Sequence, residues 1–547
     1  MPCIRAPLAL ALAIALALLA GCARESAPSG VAPGADTPAI PAAAPRVDVV
    51  ELSIADAQAG MASGRYSSAD LVDAYLARIA AVDDAGPTLN AVIALNPNAR
   101  ADAEALDAER AAGTVRGPMH GIPVLVKDNI DVAGLPTTAG SLALANHVPK
   151  DDAELVARLR AAGAVILGKT NLSEWANFRS TNSISGWSSA GGQTRNPYVL
   201  DRNACGSSSG TGAAIAASLA TVGVGTETDG SILCPSAVNG LVGFKPTVGV
   251  VSADGIVPIS ASQDTAGPMA RSVADAVALL GALTAIELDD LAPSPAPPAG
   301  DEAGDEAADV PTAGSEPLVG RRLGLLRQAM GRHPGLDAAT ERAVERLRAS
   351  GAEVVDVELA TWGQWGTHEL TVLLYEFKDG LNRYLAEGGA PVASLEALIA
   401  WNAANADRAM PWFGQELFEQ AQAKGPLSDA DYLTARDTAR RLAGDDGLLK
   451  LLREQRLDAV IAPTTGPAWP IDPVLGDHFT SAGYGAAAVA GTPSLTVPMG
   501  DVHGLPVGLS LLGPRDGDAG LLALGAVVEA TLPGARRAPA FRASLQP

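Results

Sequence analysis

Basic residues, cysteines and aromatics are all scarce in this chain of 547 residues. Lys and Arg number 39 against 61 Asp and Glu, a formal net charge of −22 at pH 7. Such a chain repels polyphosphate, and no basic run offsets the excess, so nucleic-acid binding is set aside. Aromatics are 4 % of the residues, too few for a base-stacking surface. The six histidines (His120, His147, His333, His368, His478 and His503) show neither HExxH nor paired Cys/His spacing. No metal and no cofactor are therefore predicted, and His120 reads as structural. Of four cysteines, Cys3 and Cys22 fall near the N-terminus, while Cys205 and Cys234 flank serine-rich motifs. Those two are expected as buried free thiols, with pairing the alternative in an oxidising compartment.

Long apolar runs are missing too, except at the start. Arg5 followed by the apolar stretch Leu8 to Leu19 has the layout of an export leader, too short to span a bilayer comfortably. It ends in Leu19-Ala20-Gly21-Cys22, which resembles a bacterial lipoprotein signal: cleavage after residue 21, then lipid on Cys22. An ordinary secretory signal is the alternative. Either exports the protein, and the first predicts a lipoprotein facing the periplasm whose membrane contact is its anchor. Residues 22–46, rich in Ala, Pro, Ser and Gly, read as a flexible tether. Residues 289–317 hold eight acidic and no basic side chains among prolines, and read as a solvated insertion.

What is present between these segments is α/β alternation. Apolar runs at Ile122–Val126, Ala164–Leu167, Thr221–Gly225, Leu241–Phe244, Arg322–Leu326 and Ala459–Ala462 predict buried strands. Helical spacing predicts helices after Ser67 or Ser68, over Pro97–Ala112, Asp152–Ala162 and Ala213–Ala220, and again towards the C-terminus. Strands alternating with helices indicate an α/β layer structure.

Chemistry gathers in three stretches: HGIPVLVKDNI (120–130), CGSSSGTG (205–212) and GTETDGSILCPSA (225–237). Lys127 ends a strand expected to be buried, and burial disfavours an ammonium, which turns a lysine into a base near neutral pH. Ser208 fits G-x-S-x-G, but the polar, proline-containing NPYVLDRNAC before it is no strand, so a nucleophile elbow is a poor fit. Ser231 follows a strand directly, through Thr228, Asp229 and Gly230. Backbone N–H groups in such a turn converge on one point and stabilise an oxyanion.

These three stretches, followed by NGLVGFKPT and by AGTPSLTVPMG and GLPVGLSLLG, resemble the amidase signature family of Ser–Ser–Lys hydrolases. The resemblance runs from about Val47 to Leu532. It implies one large α/β domain over 47–547, with a central mixed β-sheet covered by helices on both faces. It also implies that Ser231 is the acyl-enzyme nucleophile and Lys127 the general base. Ser207 matches the bridging serine that relays the proton, after a cis bond at Gly206–Ser207. The backbone of Thr228, Asp229, Gly230 and Ser231 matches the oxyanion hole. Glu227 and Asp229 replace residues that are often Asp and Gly in the family, and Leu233 replaces an arginine. The wording of CGSSSG, TETDGS and QDTAGPMARS (263–272) looks like bacterial peptide amidases, which remove C-terminal amides. A broad acylamidase for aryl, fatty or amino-acid amides is the alternative within enzymes. A non-catalytic amide-binding lipoprotein is the alternative outside them, although all three catalytic positions are filled. The glutaminase subunit of a tRNA-amidating complex shares the signature but fits an exported acidic chain poorly.

Overall fold

Apolar and β-branched runs of four to nine residues make the strands of the main sheet, and glycines punctuate them. The computed structural model describes residues 47–284 and 318–545. The expected leader, Cys22, the tether and the 289–317 insertion lie outside the described residues. In chain order the strands are β1 (Val92–Leu95), β2 (Pro123–Lys127), β3 (Val165–Thr170), β4 (Trp187–Ser188), β5 (Gly192–Gln193), β6 (Val222–Glu227), β7 (Val242–Lys245), β8 (Thr265–Ala270), β9 (Arg322–Leu326), β10 (Glu353–Val357), β11 (Ala459–Pro463), β12 (Ser494–Val502) and β13 (Leu505–Leu512). β4 and β5 form a small ribbon. The other eleven make one sheet in the order β1-β3-β2-β6-β8-β7-β12-β13-β11-β9-β10.

The sheet is mixed, and the mixture matters for the site. β3, β2 and β6 run parallel, with Val126 opposite Val224 and Lys127 opposite Thr170. β8, β7, β12 and β13 then pair antiparallel, and β11, β9 and β10 close the far end in parallel. Helices flank both faces, and every residue of β2, β6 and β8 between them is buried. A separate apolar cluster (Trp175, Phe178, Phe377, Leu381 and Phe418) seats helix Gly366–Glu387 against the loop after β3.

Two elements differ from their sequence expectations for identifiable reasons. The helix expected from Ala213 begins at Ser209 and ends at Ala216, so part of the Ser/Gly loop is its first turn. Small residues allow this because the helix sits directly on the sheet. A methyl at Gly210 would stand 2.4 Å from the carbonyl oxygens of Ala91 and Asn171. β8 (TAGPMA) is not among the strands the sequence predicts, since a glycine and a proline interrupt its apolar residues. β7 pairs with it only at Met269 and Ala270, so Pro268 falls beyond that ladder.

Candidate active site

Lys127 is the last residue of β2, and a buried strand delivers it where bulk water does not reach. It is 0 % exposed. Its Nζ donates to Ser207 Oγ at 2.7 Å, to Thr226 Oγ1 at 2.7 Å and to Thr226 O at 3.3 Å. Asn129 Nδ2 also donates to Thr226 Oγ1, at 2.9 Å. Burial lowers the lysine pKa to about 7, against the opposing pull of Asp264 and Glu227. Near neutral pH a large fraction of this amine is free to accept a proton.

Ser207 follows a cis peptide bond from Gly206, as the family resemblance implies. Its neighbours hold the loop in place. Ser208 Oγ donates to Thr226 O at 3.1 Å, and Ser209 Oγ donates to Cys205 O at 2.5 Å. Ser208 is therefore committed to the backbone of β6. Cys205 and Cys234 form a disulfide, with Cα atoms 5.9 Å apart, which corrects the expectation of free thiols. Their separation of 29 residues carried no hint of proximity; the fold brings the two serine loops together and the cysteines with them.

The third stretch makes a tight turn after β6. Glu227 accepts from the backbone N–H of Ile232 (2.7 Å) and Leu233 (2.9 Å), which curls the chain back beneath Ser231. Gly230 has φ +82°, and a methyl there would collide with the Tyr484 ring at 2.2 Å. Only glycine suits both demands. Ser208 N donates to Ser231 O at 3.2 Å, tying the serine loops together. Ser231 itself is half-buried, and among the described residues its hydroxyl makes no hydrogen bond. The arrangement joins a buried, easily neutralised amine, a bridging hydroxyl and an unengaged hydroxyl on an amide-rich turn, which suits acyl transfer.

Some partners escaped sequence reasoning. Thr226, Asn129 and Asp264 fall inside the quoted motifs, so their position was visible although their roles were not. Glu369 and Tyr484 come from distant segments with no motif to mark them. His120 is structural as expected, its Nε2 3.0 Å from Leu106 O in the core. The aromatics of WANFRSTNSISGW (175–187), between the lysine and the serine loops, are buried in apolar clusters. A cavity of about 10 Å³ beside Ser207 is lined by Asn129, Thr226, Thr228 and Asp264. A cavity of about 600 Å³ at Asp131, His147 and Tyr384 contains none of the motif residues. Among the described residues no group of His, Cys, Asp and Glu is arranged to hold a metal.

Comparison with known families matches the description Amidase over residues 70–522. The chain belongs to the amidase family. This amidase is an amide-hydrolysing enzyme, and its fold is that of solved amidases. The peptide amidase PAM, solved with the competitive inhibitor chymostatin, is 53 % identical with a TM-score of 0.83 over 90 % of this chain and 99 % of that one. Native peptide amidase from Stenotrophomonas maltophilia is 52 % identical with a TM-score of 0.82 and the same coverage. A probable amidase of Arabidopsis thaliana is 39 % identical over 90 % of this chain and 92 % of its own length.

Proposed function

We propose that this amidase removes the amide from C-terminally amidated peptides and releases ammonia, with Ser231 as nucleophile. The observation that carries the reading is the buried contact between Lys127 Nζ and Ser207 Oγ. Neutral Lys127 takes the proton of Ser207 as Ser207 takes that of Ser231, and Ser231 Oγ attacks the carbonyl carbon. The backbone N–H groups of the Thr228–Ser231 turn hold the developing oxyanion; losing one such donor typically slows a reaction ~10²–10³-fold. The proton returns through Ser207 to the leaving nitrogen, the C–N bond breaks, and ammonia departs. Water then attacks the acyl-enzyme along the same relay, giving the carboxylate and restoring Ser231. The similarity to two peptide amidase structures supports the choice of substrate class.

Ammonia release from a blocked dipeptide amide, by wild type beside Ser231→Ala and Lys127→Ala, tests the proposal. Release by wild type alone is expected. A wild type silent on peptide amides but active on aryl or fatty amides would replace the substrate class with that of an acylamidase. Silence on every amide would leave a binding protein on an amidase scaffold.

Export and lipidation of Cys22 belong to the same proposal. A disulfide beside the site favours an oxidising compartment, which supports it. Palmitate labelling of the full chain, present in wild type and lost in Cys22→Ala, is the expected result. Label in neither chain would remove the anchor.

A further inference from the structure

The segment after the last helix borders a cavity of about 290 Å³ at the far end of the sheet. Its place follows from strand direction. Lys127 ends β2, and β6 runs parallel to β2; β8 reverses, β7 reverses again, and β12 reverses once more. The turn from β12 to β13 therefore emerges at the opposite end of the strands from Lys127. Tyr198 and Gly240 form one wall of the cavity, that turn a second, and residues 535–542 a third. Hydrogen bonds fix the third wall to the first. Leu200 N donates to Arg542 O (2.8 Å), Phe541 N to Pro197 O (3.0 Å), and Tyr198 Oη to Arg537 O (2.5 Å).

In a chain of net charge −22, this lining is basic. It brings Arg536, Arg537 and Arg542 together against one carboxyl, that of Asp501. Arg536 is held by Glu51, to which its Nη2 donates at 2.9 Å. Arg542 Nη2 donates to the carbonyl oxygen of Gly504 (3.2 Å), and the exposed Arg537 guanidinium makes no hydrogen bond among the described residues. Neither of these two has a carboxylate partner among the described residues. Asp501 accepts from the N–H of Gly504 at 2.7 Å. Two unpaired guanidiniums against one carboxylate leave a single positive charge on the lining. The rest of the lining is glycine, alanine, Pro506 and Tyr198.

We propose that this cavity binds an organic monocarboxylate with a compact apolar body, at a site separate from the one that hydrolyses amides. A guanidinium fork matches a carboxylate through two parallel N–H···O bonds and keeps its charge at every physiological pH. One net positive charge suits a monoanion. A dianion such as phosphate would stay half-compensated and would leave the alanine and proline walls without an apolar partner. The volume stands at the small end of ligand cavities, which fits one ring or a short branched chain and not a peptide. The negative charge of the whole chain gives an anion no attraction from a distance, so recognition rests on contacts made inside the cavity.

Titration calorimetry with phenylacetate tests this, beside phenethyl alcohol as its uncharged counterpart and inorganic phosphate as an anion without the apolar body. Wild type is expected to bind phenylacetate at one saturable site, and the alcohol and phosphate at least about tenfold more weakly. Arg537→Gln and Arg542→Gln should each weaken phenylacetate at least about tenfold, through loss of one charge-assisted contact. Arg537 is exposed and its guanidinium unbonded, so its replacement probes the site without disturbing the fold. The readout is binding, and it stands whatever amide the enzyme turns over. No binding of phenylacetate by wild type would overturn the inference. So would binding that either variant keeps, as a carboxylate lodged in the oxyanion turn would give, or phosphate or the alcohol matching phenylacetate in wild type.

Discussion

Replacing Lys127 by methionine separates what the lysine contributes to chemistry from what its burial does to the fold. Its pKa falls from the ordinary 10.5 to about 7, a difference worth about 5 kcal/mol at ~1.4 kcal/mol per unit. The side chain is fully buried, so solvent screening does not dilute that figure. The unfolded lysine holds its proton up to about pH 10, whereas the folded one releases it near 7. Between those values the unfolded chain binds more protons, so stability rises with pH through that window. Methionine fills a similar volume without the penalty but forfeits the three bonds from Nζ, each worth ~1 kcal/mol, and leaves the Ser207 hydroxyl short of a partner. The two effects largely offset one another at pH 7. Lys127→Met is therefore expected within about 2 kcal/mol of wild type there, while amide turnover falls 10³-fold or more through loss of the base. Urea unfolding of both proteins at pH 7, 8 and 9 provides the decisive reading. Wild type should gain about 2 kcal/mol on the variant across that interval, from the same titration. Parallel pH dependences would refute the argument, because they require a lysine that stays charged in the folded protein throughout that range.

Other outcomes follow from the same geometry. With a neutral amide substrate, kcat/KM should climb with pH as a single ionisation of apparent pKa about 7 and then level; a midpoint near 10 would mean that burial does not lower the pKa of the base. Gly230→Ala should cut kcat at least a hundredfold in a folded protein, since the new methyl meets the Tyr484 ring at 2.2 Å on a backbone with φ +82°. Wild-type rates in that variant would show that the turn tolerates displacement. Reduction of Cys205–Cys234, which closes a loop of 29 residues, should lower stability by about 3–4 kcal/mol. A thermal melt with and without dithiothreitol checks this, and an unchanged melting temperature would count against a structural bond.

Much of the site was legible because its residues are adjacent in sequence to what positions them. Lys127 is pinned by the apolar strand that precedes it, and Ser231 by the Thr-Glu-Thr-Asp-Gly run leading out of β6. The strands themselves were legible wherever apolar residues ran uninterrupted. They were not where composition argued the other way, as in β8 with its Gly267 and Pro268, or in β1, a short edge strand. The disulfide, open in the sequence only as the alternative to free thiols, was undecidable for a different reason. Pairing depends on a Cα separation of 5.9 Å, and nothing local in either cysteine's sequence encodes a distance across the fold. Glu369 and Tyr484 belong to the same class: each reaches the turn from a segment well over a hundred residues away.

The order of the strands explains why three scattered motifs become one site. β2 and β6 are parallel neighbours, so their carboxyl ends point the same way, and Lys127 and Thr226 come out side by side at one edge of the sheet. Parallel pairing needs a long crossover, and the chain between these strands holds β3 and the helix Ser209–Ala216. That helix must start at the same edge in order to pack on the strands, which sets Ser207, two residues before it, against Lys127 Nζ. The turn after β6 then brings Ser231 back over the start of the helix, where Ser208 N donates to its carbonyl. A crevice at the carboxyl ends of parallel strands is a general location for binding sites in such sheets. Here it has a further consequence. Any substitution that shifts β6 against β2 by one residue flips Thr226 to the other face and strips Lys127 of two of its three acceptors. The register of two buried strands, and not the serine loops alone, decides whether the lysine is held as a base.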